Sequence, residues 1–249
     1  MSAGAPSASS LNPGRRIIFA LDVSSLEEAR KFVRLLKDRT GFFKVGLELF
    51  TAFGKEAIRA VQEEGGRVFL DLKFHDIPNT VSRAAEEAVK LGVDMLNLHA
   101  SGGTEMMRET VDRCRKIAEK LNRPKPILLA VTILTSLDEK NLQEVGILGP
   151  VAARVVGLAE LSRQAGIDGV VASPREITAI RQKCGPKFVI VTPGIRPGFV
   201  EAGKDDQKRV LTAGEAISSG ADYIVVGRPV RLAPDPAAAM DKVIAEITR

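Results

Sequence analysis

The sequence predicts a single-domain (β/α)8 barrel, and three observations point to this fold class. Short apolar runs rich in β-branched residues recur along the chain, which is typical of parallel strands covered on both faces. Amphipathic helical patterns lie between these runs, and such alternation builds a parallel sheet. The chain has 249 residues, which matches the roughly 250 residues of one closed barrel.

The predicted strands follow one another at similar spacing. They are IIFALDV (17–23), FFKVGLE (42–48), RVFLDLK (67–73), DMLNLHA (94–100), PILLAVTIL (126–134), DGVVASP (168–174), FVIVTPGI (188–195) and DYIVVGRPV (222–230). An open, doubly wound sheet is the alternative. That fold usually carries a glycine-rich turn after its first strand, whereas the first strand here ends in LDVSS.

The helical segments between the strands carry start and stop signals. The first opens with serine and has apolar residues at helical spacing: Leu26, Ala29, Phe32, Val33 and Leu36. NTVSRAAEEAVKLG ends at Gly92, a natural C-terminal cap. The segments GGTEMMRETVDRCRKIAEKL, PVAARVVGLAELSRQAG and DPAAAMDKVIAEITR follow the same pattern.

Composition narrows the possible functions. The formal net charge is +5, but basic residues are scattered among acidic ones, Trp is absent and Tyr occurs once, so we expect no nucleic-acid partner. The two cysteines, Cys114 and Cys184, lack CxxC spacing and predict reduced thiols. His75 and His99 are the only histidines, and they do not suggest a metal site.

Targeting signals are not evident. No apolar run reaches the roughly 18 residues of a membrane span, and the start MSAGAPSASSLNPG lacks the basic and apolar regions of a signal peptide. We therefore expect a cytoplasmic protein without a membrane partner. In this interpretation residues 1–14 form a disordered tail and residues 15–249 form the catalytic barrel.

Polar side chains collect near the carboxyl ends of the predicted strands, where barrels carry their active sites. They are Asp22, Lys44, Asp71, Lys73, Thr132, Thr135, Ser136, Arg196 and Arg228. Side chains two positions apart share a strand face, so Asp71 and Lys73 should face the barrel mouth and Leu72 the helices. Because buried charge is costly unless it is paired, the Asp71–Lys73 pair indicates either an active site or a structural ion pair.

Two glycine-containing segments predict a phosphate site. TPGIRPG (192–198) follows strand 7 and VVGRPV (225–230) closes strand 8, the strands whose loops often hold phosphate in barrels. Gly227 permits close backbone approach and Arg228 offers a bidentate cation. A Gly-Pro turn with a solvated arginine is the alternative. The polar segment 198–210 predicts either a lid or a surface loop without a role.

The motifs DLKFHDIPNTV, FALDV, FKVGLELF, VTILTS, TPGIRP, DDQKRV and IVVGRPV resemble the orotidine 5′-phosphate decarboxylase family, in the same order, from residue 15 onward. Related barrels, the 3-keto-L-gulonate 6-phosphate decarboxylases and hexulose-6-phosphate synthases, share the D-x-K-x-x-D core but use magnesium. The continuations IPNTV and DDQKRV resemble the orotidylate enzymes. A magnesium-dependent aldolase-like barrel and a non-enzymatic binding barrel for phosphate or nucleic acid remain alternatives.

The resemblance implies cofactor-free and metal-free decarboxylation of orotidine 5′-monophosphate to uridine 5′-monophosphate by a homodimer. Lys44, Asp71, Lys73 and the partner's Asp76 would form a catalytic charge network, in which Lys73 stabilises and protonates the C6 carbanion. Asp76 and Thr80 would both reach into the neighbouring subunit's site.

The resemblance also implies which residues bind the substrate. Asp22 and Lys44 would hold the ribose hydroxyls, and Thr135 and Ser136 match the stretch that reads the pyrimidine edge. The residues that match the phosphate grip are Arg196, Gln207, Gly227 and Arg228.

Overall fold

The computed structural model describes residues 12–199 and 211–248, in which the strands close into a barrel in chain order. The strands are β1 (Ile17–Ala20), β2 (Phe42–Val45), β3 (Val68–Phe74), β4 (Met95–His99), β5 (Ile127–Val131), β6 (Gly169–Val171), β7 (Val189–Thr192) and β8 (Tyr223–Val226). All neighbouring pairs are parallel, and β8 closes the ring on β1. The predicted (β/α)8 barrel is confirmed.

Helices surround this barrel. They are α1 (Leu26–Leu36), α2 (Leu47–Phe53), α3 (Lys55–Glu63), α4 (Pro78–Lys90), α5 (Gly103–Lys120), α6 (Glu139–Glu144), α7 (Val151–Gln164), α8 (Ile177–Cys184), α9 (Ala213–Ser218), α10 (Arg228–Arg231) and α11 (Pro236–Thr248). Within the two described ranges, no helix is both long enough and apolar enough to cross a membrane.

The amino-terminal boundary lies slightly earlier than the sequence suggested. Residues 1–11 of the predicted tail lie outside the described residues. Pro13–Arg16 forms a 3-10 helix, and the Asn12 side chain accepts a hydrogen bond from the Gly14 backbone at 3.1 Å. Residues 12–14 therefore belong to the described fold.

Some strands are shorter than predicted because glycines begin helices at their carboxyl ends. Gly46 is the N-cap of α2, so the second strand stops at Val45. Gly227 is the N-cap of α10, so the eighth strand stops at Val226 and Arg228 is already helical. Apolar and β-branched residues continue past both points, which explains why the sequence pattern overran the strands.

The inside of the barrel is built in layers by the two-residue period of the strands. An apolar layer fills the amino-terminal half and consists of Ile18, Phe42, Phe69, Met95, Leu129, Val191 and Tyr223. Two positions further along the first five of these strands lie Ala20, Lys44, Asp71, Asn97 and Val131. Charged and amide groups therefore enter the barrel one layer above an apolar floor.

A repeated Gly-x-Asp segment fixes the amino-terminal end of the barrel. It occurs before β4, β6 and β8, and its carboxylates are those of Asp94, Asp168 and Asp222. Each carboxylate accepts a backbone N–H from the preceding strand, at 2.8 Å from Val68, 2.8 Å from Leu128 and 2.7 Å from Ile190. Each also pairs with a basic side chain, from Arg67, Lys125 and Arg181 respectively. These contacts set the strand register far from the charged layer.

Candidate active site

A cavity of about 600 Å³ opens at the carboxyl ends of the strands. Its polar lining comprises Asp22, Lys44, Asp71, Lys73, Thr135, Arg196, Gly227 and Arg228. Its apolar lining includes Ala20, Phe69, Val131, Ile133, Val171, Pro193 and Val225. A concave, partly apolar site with a few converging charges suits a small ionised molecule.

Lys44 and Asp71 form the centre of a charge network in this cavity. The Lys44 Nζ atom lies 3.3 Å from Asp22 Oδ1 and 3.4 Å from Asp71 Oδ2. The Lys73 Nζ atom donates to the other Asp71 oxygen, Oδ1, at 2.7 Å. The Lys73 side chain is 28% exposed, against 12% for Asp71 and 13% for Lys44, so its ammonium group remains open to a bound molecule.

The network keeps its two inner members charged. Burial acts to lower the pKa of Lys44, but the Asp71 and Asp22 carboxylates outweigh burial, and the pKa lies above its ordinary value. Burial likewise acts to raise the pKa of Asp71, but Lys44, Lys73 and the Asn97 amide together hold the pKa below its ordinary value. At neutral pH the cavity wall therefore presents fixed charges of both signs.

Asn97 belongs to this arrangement, although sequence reasoning did not identify it. It lies in β4 with 1% exposure, and its Nδ2 donates to Asp71 Oδ1 at 2.7 Å. Its Oδ1 accepts the backbone N–H of Lys73 at 2.8 Å. The available signal was a lone amide in the apolar run DMLNLHA, on the inward face.

The backbone at Lys73 departs from regular strand geometry. Lys73 has a φ of +51°, and the β3–β4 register shifts between Leu70 and Phe74. The predicted direction of the side chain still holds, since Lys73 and Asp71 are in contact and Leu72 packs against the outer hydrophobic core. The irregular backbone itself could not be read from residue alternation.

The two histidines meet beside the network. Their ring centroids are 5.1 Å apart, and the rings are tilted by 35°. Burial, followed by His75 and Lys73, lowers the pKa of His99, which favours the neutral ring at neutral pH. Within the described ranges, no group of three or more His, Cys, Asp or Glu side chains is arranged to hold a metal ion.

The predicted phosphate residues that the structure describes also line the cavity. Arg196, Gly227 and Arg228 all lie there. The Arg196 backbone N–H donates to the Leu211 carbonyl at 2.9 Å, next to an isolated bridge between Ile195 and Leu211. Gln207, and with it most of the predicted lid segment 198–210, lies outside the described residues.

The loop after β5 contributes less than its sequence suggested. Thr135 lines the cavity, whereas Ser136 is exposed and is not part of the lining. Thr132 is buried and donates its hydroxyl to the Val171 carbonyl at 3.1 Å. Because Val131 faces the cavity, the next residue, Thr132, points away from it, so Thr132 is not a cavity residue.

Asp76 and Thr80 are not part of the cavity lining of their own chain. The Asp76 carboxylate accepts the backbone N–H of Ile77 at 2.6 Å, at the entry to α4. Both residues are exposed, neither lines the cavity, and Ile77 between them is 65% exposed. Within one chain, the structure therefore joins Asp22, Lys44, Asp71 and Lys73 but not Asp76.

Comparison with known proteins agrees with this geometry. The model of the family described as "Orotidine 5'-phosphate decarboxylase / HUMPS family" matches residues 15–243. The orotidine 5'-phosphate decarboxylase of Moorella thermoacetica is 57% identical, with 93% of this chain and 92% of the relative covered. The enzyme of the same name from Pelobacter propionicus is 54% identical, with 94% and 95% covered.

Solved structures show the same similarity. Orotidine 5'-phosphate decarboxylase from Lactobacillus acidophilus aligns with a TM-score of 0.82 at 37% identity, covering 94% of this chain and all of the other (100%). An uncharacterized conserved protein from Geobacillus kaustophilus aligns with a TM-score of 0.81 at 36% identity, covering 93% and 99%.

Proposed function

The chain belongs to the orotidine 5′-phosphate decarboxylase / HUMPS family of enzymes, and we propose that it converts orotidine 5′-monophosphate to uridine 5′-monophosphate and CO2 without a cofactor. One observation carries the proposal. The Lys73 ammonium group lies 2.7 Å from Asp71 in the wall of the cavity, and Lys44 holds Asp71 from the other side. A positioned cation flanked by acids is what this reaction needs.

The reaction leaves an electron pair where the substrate cannot disperse it. When the bond from C6 to the carboxylate breaks, CO2 departs and the pair remains in the plane of the pyrimidine ring, outside the π system. A fixed cation beside C6 stabilises this developing charge, and an N–H of that cation can then deliver the proton that completes the product. We assign both tasks to Lys73.

Asp71 and Lys44 support Lys73 in this mechanism. The Asp71 carboxylate positions the Lys73 ammonium group by direct contact at 2.7 Å. The Lys44 ammonium group lies beside the other carboxylate oxygen of Asp71, Oδ2, so both oxygens of this buried carboxylate contact a positive charge. Asp71 would also stand close to the substrate carboxylate, where like charge favours its departure as neutral CO2. Asp22 and Lys44 are then placed for the ribose hydroxyls.

The substrate phosphate would bind at the part of the cavity lined by Arg196, Gly227 and Arg228. This end lies away from the bond that breaks, so its binding energy serves to orient the ring against Lys73. Gln207 is part of the same proposal through the resemblance alone. Thr135 is the polar residue among those of the described loop after β5 that line the cavity, and it supports recognition of the pyrimidine, with Ser136 beside it.

The active form in this proposal is a homodimer that shares its sites. Asp76 and Thr80 would each complete the cavity of the neighbouring subunit. Their exposure, their absence from the lining of their own cavity and the exposed apolar side chain of Ile77 support this arrangement. Partners beyond the substrate and the second copy are not expected, and a cytoplasmic location stays a prediction.

The test is turnover by purified, EDTA-treated protein. We expect the ultraviolet absorbance of orotidine 5′-monophosphate to change to that of uridine 5′-monophosphate, with equal release of CO2. Added Mg²⁺ should leave the rate unchanged. A rate that depends on Mg²⁺ and on a sugar phosphate would favour the aldolase-like barrel, and binding without turnover would favour a non-enzymatic one.

A further inference from the structure

We infer that Asn97 is a positioning residue that holds Asp71 and Lys73 in their working arrangement. The inference rests on the proposed function, because it concerns the same two side chains. Asn97 reaches both of them with one amide group: the Nδ2 atom donates to Asp71 Oδ1 at 2.7 Å, and the Oδ1 atom accepts the Lys73 backbone N–H at 2.8 Å.

The choice of residue at this position is chemically narrow. Asn97 is 1% exposed, so each polar atom of its amide must find a partner inside the protein. The amide supplies a donor and an acceptor at once, and it does so without titrating. An apolar side chain would satisfy neither partner, and an ionised carboxylate would repel Asp71.

The second contact addresses the irregular backbone of Lys73. Regular parallel pairing between β3 and β4 breaks between Leu70 and Phe74, and the Lys73 N–H is bonded to the Asn97 side chain. Lys73 has a φ of +51°, a region that residues with a Cβ atom seldom adopt. Such conformations persist where surrounding contacts enforce them. By accepting the Lys73 N–H, Asn97 therefore fixes the backbone of Lys73 and with it the direction of the Lys73 side chain.

Asn97 also acts on the other end of the same ion pair. Asp71 Oδ1 receives both the Asn97 amide and the Lys73 ammonium group, each at 2.7 Å. The carboxylate cannot rotate without losing one of them. Ala20 of β1 and Val131 of β5 lie in the same layer of the barrel. An apolar side chain can therefore occupy this layer of the barrel. The amide at Asn97 is explained by its two hydrogen-bond partners, Asp71 and Lys73, and not by the layer itself.

The first test separates positioning from folding. Asn97→Ala should lower kcat for orotidine 5′-monophosphate by about 100-fold, as expected for misplaced catalytic groups, and should leave KM within about threefold because the phosphate contacts are untouched. Thr132→Val is the matched control, since it also removes one buried hydrogen bond near the same rim but faces away from the cavity. The control should keep kcat within about twofold once activity is scaled to the folded fraction.

The second test uses a variant that fills the same volume. Asn97→Asp keeps an acceptor for the Lys73 backbone N–H, but the new carboxyl group and Asp71 can share a hydrogen bond only when one of the two is protonated. The groups that face Asp71 are Lys44 from β2, Lys73 from β3 and His99 from β4, and the wild type shares all of them. We therefore expect the ratio of variant to wild-type kcat to rise at least about tenfold between pH 8 and pH 5.

The outcomes are distinct. A kcat for Asn97→Ala equal to that of Thr132→Val, with an active wild type, overturns the inference and leaves the proposed function intact. If Asn97→Ala does not fold, a ratio for Asn97→Asp that is flat with pH overturns it on its own. A wild type that does not decarboxylate the substrate overturns the proposed function and this inference together.

Discussion

Lys44 and Asp71 stand on adjacent strands with 3.4 Å between Nζ and Oδ2, and each holds the other in its charged form despite burial. The pKa of the acid is lowered and that of the base is raised, so the pair remains ionised over a wide range of pH.

The pH dependence of stability tests the sign of the Asp71 shift. The folded-state pKa of Asp71 is depressed, so its charged form contributes stability above the unfolded value of about 3.9 and loses it as the pH falls toward the folded pKa. The reference is the difference in free energy of unfolding between the wild type and Asp71→Asn at about pH 5. As the pH falls further, the wild type should lose stability relative to the variant, as measured by urea denaturation. If the wild type instead gained stability relative to the variant on acidification, burial would dominate and the folded-state pKa of Asp71 would be raised.

Lys73→Ala should nearly abolish turnover while the protein stays folded. The variant removes the cation beside the reacting carbon and the source of its proton. Stopped turnover assays and circular dichroism give the two readouts. Lys55→Ala, at an exposed position at the start of α3, is the control and should keep full activity. A loss of only a few-fold would exclude Lys73 as the proton donor.

Mixed dimers test whether Asp76 works in the neighbouring site. Lys73→Ala and Asp76→Ala homodimers should each be inactive, and mixing them should restore activity as subunits exchange. In a heterodimer one site carries both defects and the other carries neither. If exchange is demonstrated by mass spectrometry and activity does not return, Asp76 serves its own chain.

Arg228→Ala should weaken use of the phosphorylated substrate selectively. A charge-assisted contact to phosphate is worth about 1.5–3 kcal/mol, so kcat/KM for orotidine 5′-monophosphate should fall at least about tenfold. The value for orotidine, which has no phosphate, should hardly change. Arg231→Ala on the same short helix is the control, since Arg231 does not line the cavity. Equal losses on both substrates would assign Arg228 to the support of the barrel.

Asp222→Ala should destabilise the barrel without changing its chemistry. The carboxylate accepts the Ile190 backbone N–H and the Arg181 guanidinium, both at 2.7 Å. Their loss should lower the free energy of unfolding by about 1.5–3 kcal/mol. The activity per folded molecule should be unchanged because Asp222 lies at the amino-terminal end of the strands. A fall in kcat of the folded fraction would contradict this division between the two ends.

The sequence predicted the features that follow from periodicity. Strand runs, their alternation with helices and the inward direction of Asp71 and Lys73 all depend on spacing, and the structure agrees with them. Spacing fails where the backbone turns. Ser136 lies in the loop after β5, where strand alternation no longer sets the direction of a side chain, and it is exposed. Thr132 comes directly after Val131 and faces outward as alternation requires.

Asn97 shows a second reason why sequence reasoning stops short. The role of a single amide in an apolar strand cannot be predicted until its hydrogen-bond partners are known. Those partners come from β3, 26 and 24 residues earlier in the chain, across a register shift that no local pattern encodes. The same applies to the contact between His75 and His99.

At Lys73 the backbone conformation and the side-chain chemistry favour different amino acids. At a φ of +51° the polypeptide favours glycine, which has no Cβ atom to crowd the peptide, yet glycine offers no ammonium group. Glycine would relieve the backbone strain, but it would leave Asp71 Oδ1 without its contact to the Lys73 ammonium group at 2.7 Å. Variants designed for higher thermal stability should therefore keep Lys73 and carry their substitutions on the outer helices.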